Sequence, residues 1–544
     1  MRLISCFGLL SICAFAQYTS EPAPKPSQKT VEEWQSRKFG MFIHWGLYSI
    51  AGGVWNGQPV RSGYSEQIQG EGRIPKEDYV RLAAQFNPEK WDPAAVARLA
   101  KEAGMKFVVL TSKHHDGFNM FGTKLTPYNV VDATPYKRDV VKELAEACRR
   151  EGLRFGVYYS TIDWNYPGAT PSDLGRNNNP IPKAHEDFNV GQLRELMSNY
   201  GPMTEIWFDM GEPTPEQSKR FADTVHAVQP ECMVSGRVFN HQGDFTVMGD
   251  NRVPEYVIDE PWQTPGSVYH ETWGYRSWQK RDDLAGKTAE HILNLVKVVS
   301  RGGNYLLNIG PRGDGSIVEF EADVLKGMGA WLRVNGEAIY GAQAQPFRQL
   351  AFGHATVKPG KLFLFVREMP ADGPHTLTLP GLNTKLTRAY LLGDAAKRPL
   401  EVRGGSIRMP QAGPMTPPVT VVVAEYDGTL EVTPPAVAPG GDGAVTLTAQ
   451  AADKFYNYNG RGYYEKPSVY KLQWNFTAAP GRYRVTVEPA VADASVEIDG
   501  TPAADVATLA KRGYHTLAIT PRKPFVKGTR LSAMPGRVIV VPEK

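Results

Sequence analysis

Residues able to do chemistry stand one after another at the ends of short apolar runs. His44 follows Phe39–Ile43, His114 and His115 follow Phe107–Thr111, Tyr159 lies in Leu153–Ser160, Asp209 ends Ile206–Asp209, and Arg237 ends Met233–Arg237. Imidazole and phenol groups donate to and accept from a hydroxylated ligand, a guanidinium only donates, and a carboxylate acts as nucleophile or proton carrier. A single strand-end aspartate often just caps a helix, and a single histidine is usually structural. Six such residues at equivalent places in successive units argue instead for one shared site.

The elements that must position them read as a βα repeat. Helix-period stretches at Pro93–Ala103, Arg138–Glu151, Val190–Tyr200 and Pro215–Val228 alternate with the apolar runs, and Gly104, Gly152 and Gly201 stand where three of these helices should stop. Apolar runs without polar alternation fit parallel strands covered on both faces. A barrel of such units gathers its strand C-termini at one mouth, so the six side chains are expected in a single cavity.

These residues sit in motifs that resemble glycoside hydrolase family 29, the α-L-fucosidases. They are Phe-Ile-His-Trp-Gly at 42–46, Ser-Lys-His-His-Asp-Gly-Phe at 112–118, Trp-Phe-Asp at 207–209, Thr-Trp-Gly-Tyr at 272–275 and Gly-Gly-Asn-Tyr-Leu-Leu-Asn-Ile-Gly-Pro at 302–311. The likeness runs from about Val31 to Tyr340. It implies an α/β fold, a (β/α)8 TIM-like barrel catalytic domain, and a secreted, exo-acting, retaining α-L-fucosidase. Related alternatives are a barrel glycosidase for another fucose-like sugar, such as an α-L-galactoside, and a non-catalytic carbohydrate-binding homologue.

Retaining hydrolysis needs a carboxylate to attack the anomeric carbon and a carboxylic acid to protonate the leaving oxygen. By resemblance Asp209 is the nucleophile. Asp250 is the first choice for acid/base, because Arg237, Gly243-Asp244-Phe245 and Asp250 reproduce a family order; Glu255 and Glu260 are reserves. Position 263, where many relatives have Glu, is Gln263 here and cannot donate a proton as a carboxylic acid. The resemblance also assigns His44, Glu66, His114, His115, Tyr159, Trp207 and Arg237 to sugar hydroxyls or nucleophile orientation, and Phe42, Tyr64 and Trp273 to a slot for the C6 methyl. Gln67 departs from the tryptophan common after that glutamate.

No cofactor and no metal are expected. The His114-His115 pair lacks further convergent ligands, and His185-Glu186-Asp187-Phe188-Asn189 lacks the second histidine of a zinc motif. The net charge of +4 is small for 544 residues and its basic groups are scattered, so neither nucleic acid nor an anionic membrane is implied. The expected partners are fucosylated oligosaccharides or glycoconjugates.

Residues 1–16 read as a signal peptide, with Arg2, an apolar Leu3–Phe15 and Ala14-Phe15-Ala16; a lipoprotein signal using Cys13 is the rival. Export to the periplasm or medium follows. Its removal leaves Cys148 and Cys232, too few for a disulfide framework. Residues 17–30 read as a linker and 31–342 as the barrel. Alternating strands predict a β-sandwich over 343–430, and after Pro- and Gly-rich 433–443 a second module over 440–544. Tyr456, Tyr458, Tyr463 and Tyr464 would give that module either sugar-stacking rings or core packing.

Overall fold

The computed structural model describes residues 24–169, 181–254, 257–258, 260–367, 375–410, 418–457, 468–522 and 530–543. The signal-peptide segment, Glu255, Tyr458, Tyr463 and Tyr464 lie outside these residues, as does the side chain of Tyr456.

Eight parallel strands form the first sheet: β1 Phe39–Ile43, β2 Phe107–Lys113, β3 Arg154–Ser160, β4 Glu205–Asp209, β5 Met233–Val234, β6 Thr246–Val247, β7 Trp262–Ser267 and β8 Asn304–Ile309. Their order runs from β5 through β4, β3, β2, β1, β8 and β7 to β6. A parallel bridge between Ser235 and Phe245, with the Asp244 amide donating to Val234 O at 2.7 Å, joins the two ends and closes a barrel. A Cβ on Gly243 would sit 2.6 Å from Gly236 Cα, so two facing glycines permit that closure.

Side chains along the strands alternate between two apolar clusters. Phe42, Phe107, Val109, Tyr158, Trp207, Met233, Phe245, Val247 and Leu306 fill the interior, while Met41, Val108, Leu110, Val157, Ile206, Phe208, Val234 and Leu307 pack outward. The helix before β1, Gln28–Arg37, adds Trp34 to the interior cluster, its ring 4.5 Å from Phe245.

Long helices follow β1 (Pro93–Glu102), β2 (Val140–Glu151), β3 (Lys183–Asn199), β4 (Pro215–Val228), β7 (Leu284–Ser300) and β8 (Glu319–Asn335). The first three stop as their sequences predict, with Gly104 at φ 85°, Gly152 at φ 74° and Gly201 at φ 77°. After β5 there is one 3-10 turn, Gly236–Val238, and after β6 no helix among the described residues. The eight strands are thus complete, but two units lack their helix. Sequence patterning recovered six strands and missed β6 and β7; the run read as Met233–Arg237 ends as a strand at Val234 and delivers Arg237 from the turn.

Beyond the barrel, Gly353–Lys358, Lys361–Val366, Thr420–Tyr426 and Leu386–Leu391 form an antiparallel sheet facing a three-stranded one. Leu362, Leu364 and Val366 enter the core between these sheets, whereas Phe363 and Phe365 on the other face join the barrel's outer cluster. A four- and a five-stranded antiparallel sheet then enclose Trp474, Phe476, Leu517, Ile519, Val538 and Val540. Arg348 ties this last unit to the preceding one, pairing with Asp453 at 2.8 Å. Cys148 and Cys232 are buried free thiols. No helix among the described residues is long and apolar enough to cross a membrane.

Candidate active site

The C-terminal ends of the strands surround a pocket lined by Phe42, His44, Glu66, Gln67, His114, His115, Tyr158, Trp207, Asp209, Arg237, Asp250 and Trp273. Charged, imidazole and aromatic side chains thus converge on one mouth of the barrel.

Asp209 ends β4, and the chain turns at once through Met210 (φ 62°) and Gly211 (φ 80°). Its Oδ2 accepts from the Tyr158 hydroxyl at 2.7 Å and its Oδ1 from Arg237 Nη1 at 3.0 Å. The other Arg237 nitrogen donates to Asp250 Oδ1 at 2.5 Å, and the guanidinium carbon lies 4.7 Å from the Trp207 ring centre. One cation therefore holds both carboxylates side by side. Burial raises the Asp209 carboxyl above the usual range and outweighs the opposing pull of Arg237, while the neighbouring Asp250 charge adds to the rise.

The histidines are neutral, because burial lowers His44 to about 4 and His114 and His115 well below their ordinary value. Asn308 donates through Nδ2 to Trp273 O at 2.8 Å and to Ser267 Oγ at 3.2 Å, so its Oδ1 must accept from His44 Nδ1 at 2.7 Å. That fixes the tautomer and leaves His44 Nε2 as an acceptor. His115 bonds Ser160 Oγ at 2.8 Å and stands 3.8 Å from Asp209. His114 stacks on Tyr158 with centroids 5.4 Å apart, and its Nδ1 has no partner among the described residues.

Glu66 sits on a 3-10 turn and accepts from the amides of Trp273 at 3.1 Å and Gly274 at 2.8 Å; burial nevertheless lifts its carboxyl to about 7. Gln67 stands beside it in the pocket wall.

Three sequence expectations are displaced. Tyr159 points to the outer face of β3, where its hydroxyl lies 2.7 Å from Asn189 Oδ1 and 2.8 Å from Gln192 Oε1. Tyr158 takes the pocket position, since it pairs in register with inward-facing Trp207 while Tyr159 pairs with outward-facing Phe208. Glu260 accepts from Thr246 Oγ1 at 2.6 Å, and Thr246 pairs with Trp262 at the first residues of β6 and β7. It therefore belongs to the N-terminal rim, opposite Asp209 and Asp250. Tyr64 is half-buried against the interior cluster and does not line the pocket. The other assigned residues converge there, Glu255 excepted because it lies outside the described residues. Sequence reasoning missed Tyr158 and Asn308; strand parity with Trp207 would have found the first.

Among the described residues no group of three or more His, Cys, Asp or Glu side chains converges as a metal site.

A closed parallel barrel with two carboxylates held by one guanidinium at its strand ends is the architecture of a glycoside hydrolase. Known relatives name the family. The α-L-fucosidase profile matches residues 11–337. Mouse tissue α-L-fucosidase is 32% identical over 421 residues, covering 73% of this chain and 90% of its own. The structure of an α-L-fucosidase from Vibrio sp. strain EJY3 aligns over 95% of this chain and 98% of its own, with a TM-score of 0.67 and 26% identity. A family 29 α-L-fucosidase of Bacteroides thetaiotaomicron, trapped as a covalent intermediate with 2-fluoro-fucosyl fluoride, aligns over 76% and 99% with a TM-score of 0.66 and 25% identity. The chain belongs to the α-L-fucosidase family and is a retaining glycoside hydrolase.

Proposed function

We propose that this chain is an exported, exo-acting enzyme that removes terminal α-L-fucosyl residues from glycans, with Asp209 as nucleophile and Asp250 as acid/base. The observation that carries the assignment is the single Arg237 guanidinium bonded to both carboxylates at the pocket. In the first step an Asp209 oxygen bonds to the anomeric carbon as the glycosidic bond breaks, and Asp250 gives its proton to the departing oxygen. In the second, Asp250 takes a proton from water, which attacks the anomeric carbon and frees Asp209.

His44, His114, His115, Glu66, Trp207 and Arg237 would meet the sugar hydroxyls, with Phe42 and Trp273 offering apolar faces to the methyl group. Filling a methyl slot contributes only about 1–3 kcal/mol, so hydroxyl configuration would be read more strictly than the C6 substituent. Export rests on the N-terminal segment. A glycan-binding role for the 440–544 module rests on its tyrosines; among the described residues, the cleft bounded by Arg484, Ser495, Asp505 and Val506 is lined by no aromatic ring.

The test is peptide mapping after inactivation by a 2-fluoro-fucosyl fluoride. The expected adduct is on Asp209; an adduct on another carboxylate would overturn the assignment.

A further inference from the structure

Below the pocket floor the barrel interior holds a polar chain that the reaction above does not use. Glu205, the first residue of β4, accepts from Trp34 Nε1 at 2.6 Å and from Gln263 Nε2 at 3.0 and 3.3 Å. The amide oxygen of Gln263 accepts from Trp207 Nε1 at 3.1 Å. Glu205 and Gln263 are 0% exposed, so water cannot replace any of these partners.

The donor pattern has one consistent orientation. An indole N–H only donates, so the atom of Gln263 facing Trp207 must be its oxygen. That turns the amide NH2 onto Glu205, which then needs two acceptor oxygens to serve Gln263 and Trp34 together. Trp207 in turn stacks with Tyr158, centroids 5.6 Å apart and planes 18° from parallel, and carries the Arg237 guanidinium on its ring. Tyr158 and Arg237 are the two groups that donate hydrogen bonds to Asp209.

We propose that Glu205 and Gln263 are a positioning pair that fixes the tilt of Trp207 and, through it, the two donors that hold the Asp209 carboxylate. Neither residue lines the pocket, so their influence passes through Trp207 rather than through contact with the sugar. The proposal rests on the reading of Asp209 as the nucleophile.

A reciprocal exchange tests it. Glu205→Gln puts an NH2 where only donors surround it; Gln263→Glu sets two carboxyl groups face to face, and these must share a proton. In the double variant the amide at 205 donates to the carboxylate at 263, whose other oxygen still accepts from Trp207, while the oxygen at 205 accepts from Trp34. Each single variant should lose about tenfold to a hundredfold in kcat/KM on an aryl α-L-fucoside, mostly in kcat. The double variant should recover to within about threefold of wild type.

The pH profile separates positioning from loss of folded protein. The groups facing Asp209 are Arg237, Tyr158, Asp250 and His115, of which Arg237 and Tyr158 favour its ionised form. Loosening those two moves the acid limb of kcat/KM to higher pH in the single variants, and the exchange should return it. Single variants with wild-type rates, losses that track the folded fraction with the acid limb unmoved, or a double variant as impaired as the summed singles would each overturn the pair. An adduct on Asp209 with no effect in the series removes the pair alone; an adduct elsewhere removes the nucleophile assignment whatever the series shows.

Discussion

Asp209 and Asp250 share one guanidinium yet come from two halves of the barrel that are built differently. Asp209 ends a five-residue strand whose outward residues Ile206 and Phe208 pack into the main cluster beneath a helix. Arg237 and Asp250 come from the half where β5 and β6 are two residues long and no long helix follows. There Phe239, Asn240, His241 and Asn251 all adopt positive φ, between 50° and 67°, a conformation costly for residues with a Cβ, whereas beside Asp209 only Met210 does so, in the turn after the strand has ended. Regular secondary structure holds the group that attacks, and strained turns hold the groups that serve it. A nucleophile tolerates little displacement, whereas a proton donor must reach leaving groups of different shape, so the contrast suits the two roles.

The largest expected effect tests the regular half. Asp209→Ala should leave a folded protein that still binds fucose and hydrolyses aryl fucosides at least about a thousandfold more slowly, because water cannot bond to the anomeric carbon from the missing carboxylate's place. Retention of a tenth of the activity would refute the role.

The next effect tests the strained half through the leaving group. Asp250→Ala should lower turnover of natural glycosides by about a hundredfold or more, while a fucoside with an acidic phenol still forms the glycosyl-enzyme and azide restores turnover. Glu260→Ala, made on the opposite rim, should stay within about twofold of wild type. If Glu260→Ala shows the leaving-group dependence and Asp250→Ala does not, the comparison of halves collapses.

A smaller effect probes the cation joining them. Arg237→Lys keeps the charge but not the two-nitrogen fork, so one carboxylate loses its partner. Arg237 favours the ionised form of Asp209, whose carboxyl already lies above its ordinary range. Weakening that support raises it further, and the acid limb of kcat/KM should move to higher pH. An unmoved or lowered limb would show that Asp209 does not depend on Arg237.

The same contrast separates what was legible in the sequence from what was not. Phe107–Lys113 and Glu205–Asp209 are buried at every position, and their apolar runs, helices and glycine stops could be read directly. Thr246–Val247 is too short to leave a pattern. In Trp262–Ser267, the residues Gln263, Thr264, Pro265, Gly266 and Ser267 do not look like a strand. It forms one because its polar groups find partners, Gln263 across the barrel with Glu205 and Trp207, and Ser267 with Asn308 on the adjacent strand β8. Such partners are set by register between distant segments, to which local patterning is blind. The motif residues of the pocket were legible in type, but the choice between Tyr158 and Tyr159 depended on parity across a strand pair.

That choice supplies the smallest and sharpest expected effect. Tyr158 and Tyr159 are chemically identical neighbours on one strand, both fully buried, and they differ only in the side of the barrel wall they face. The Tyr158 hydroxyl donates to Asp209, whereas the Tyr159 hydroxyl serves Asn189 and Gln192 on the following helix, beside the Lys113 ammonium 4.4 Å from its ring. Tyr159→Phe removes a buried hydrogen bond but keeps the ring and its contact with Lys113. It should cost about 1–2 kcal/mol in unfolding free energy and leave kcat/KM per folded molecule unchanged. Tyr158→Phe takes a donor from the nucleophile, so it should lower kcat/KM and move its acid limb upward. Equal kinetic losses from the two substitutions would mean that the inner and outer faces of β3 are not functionally distinct.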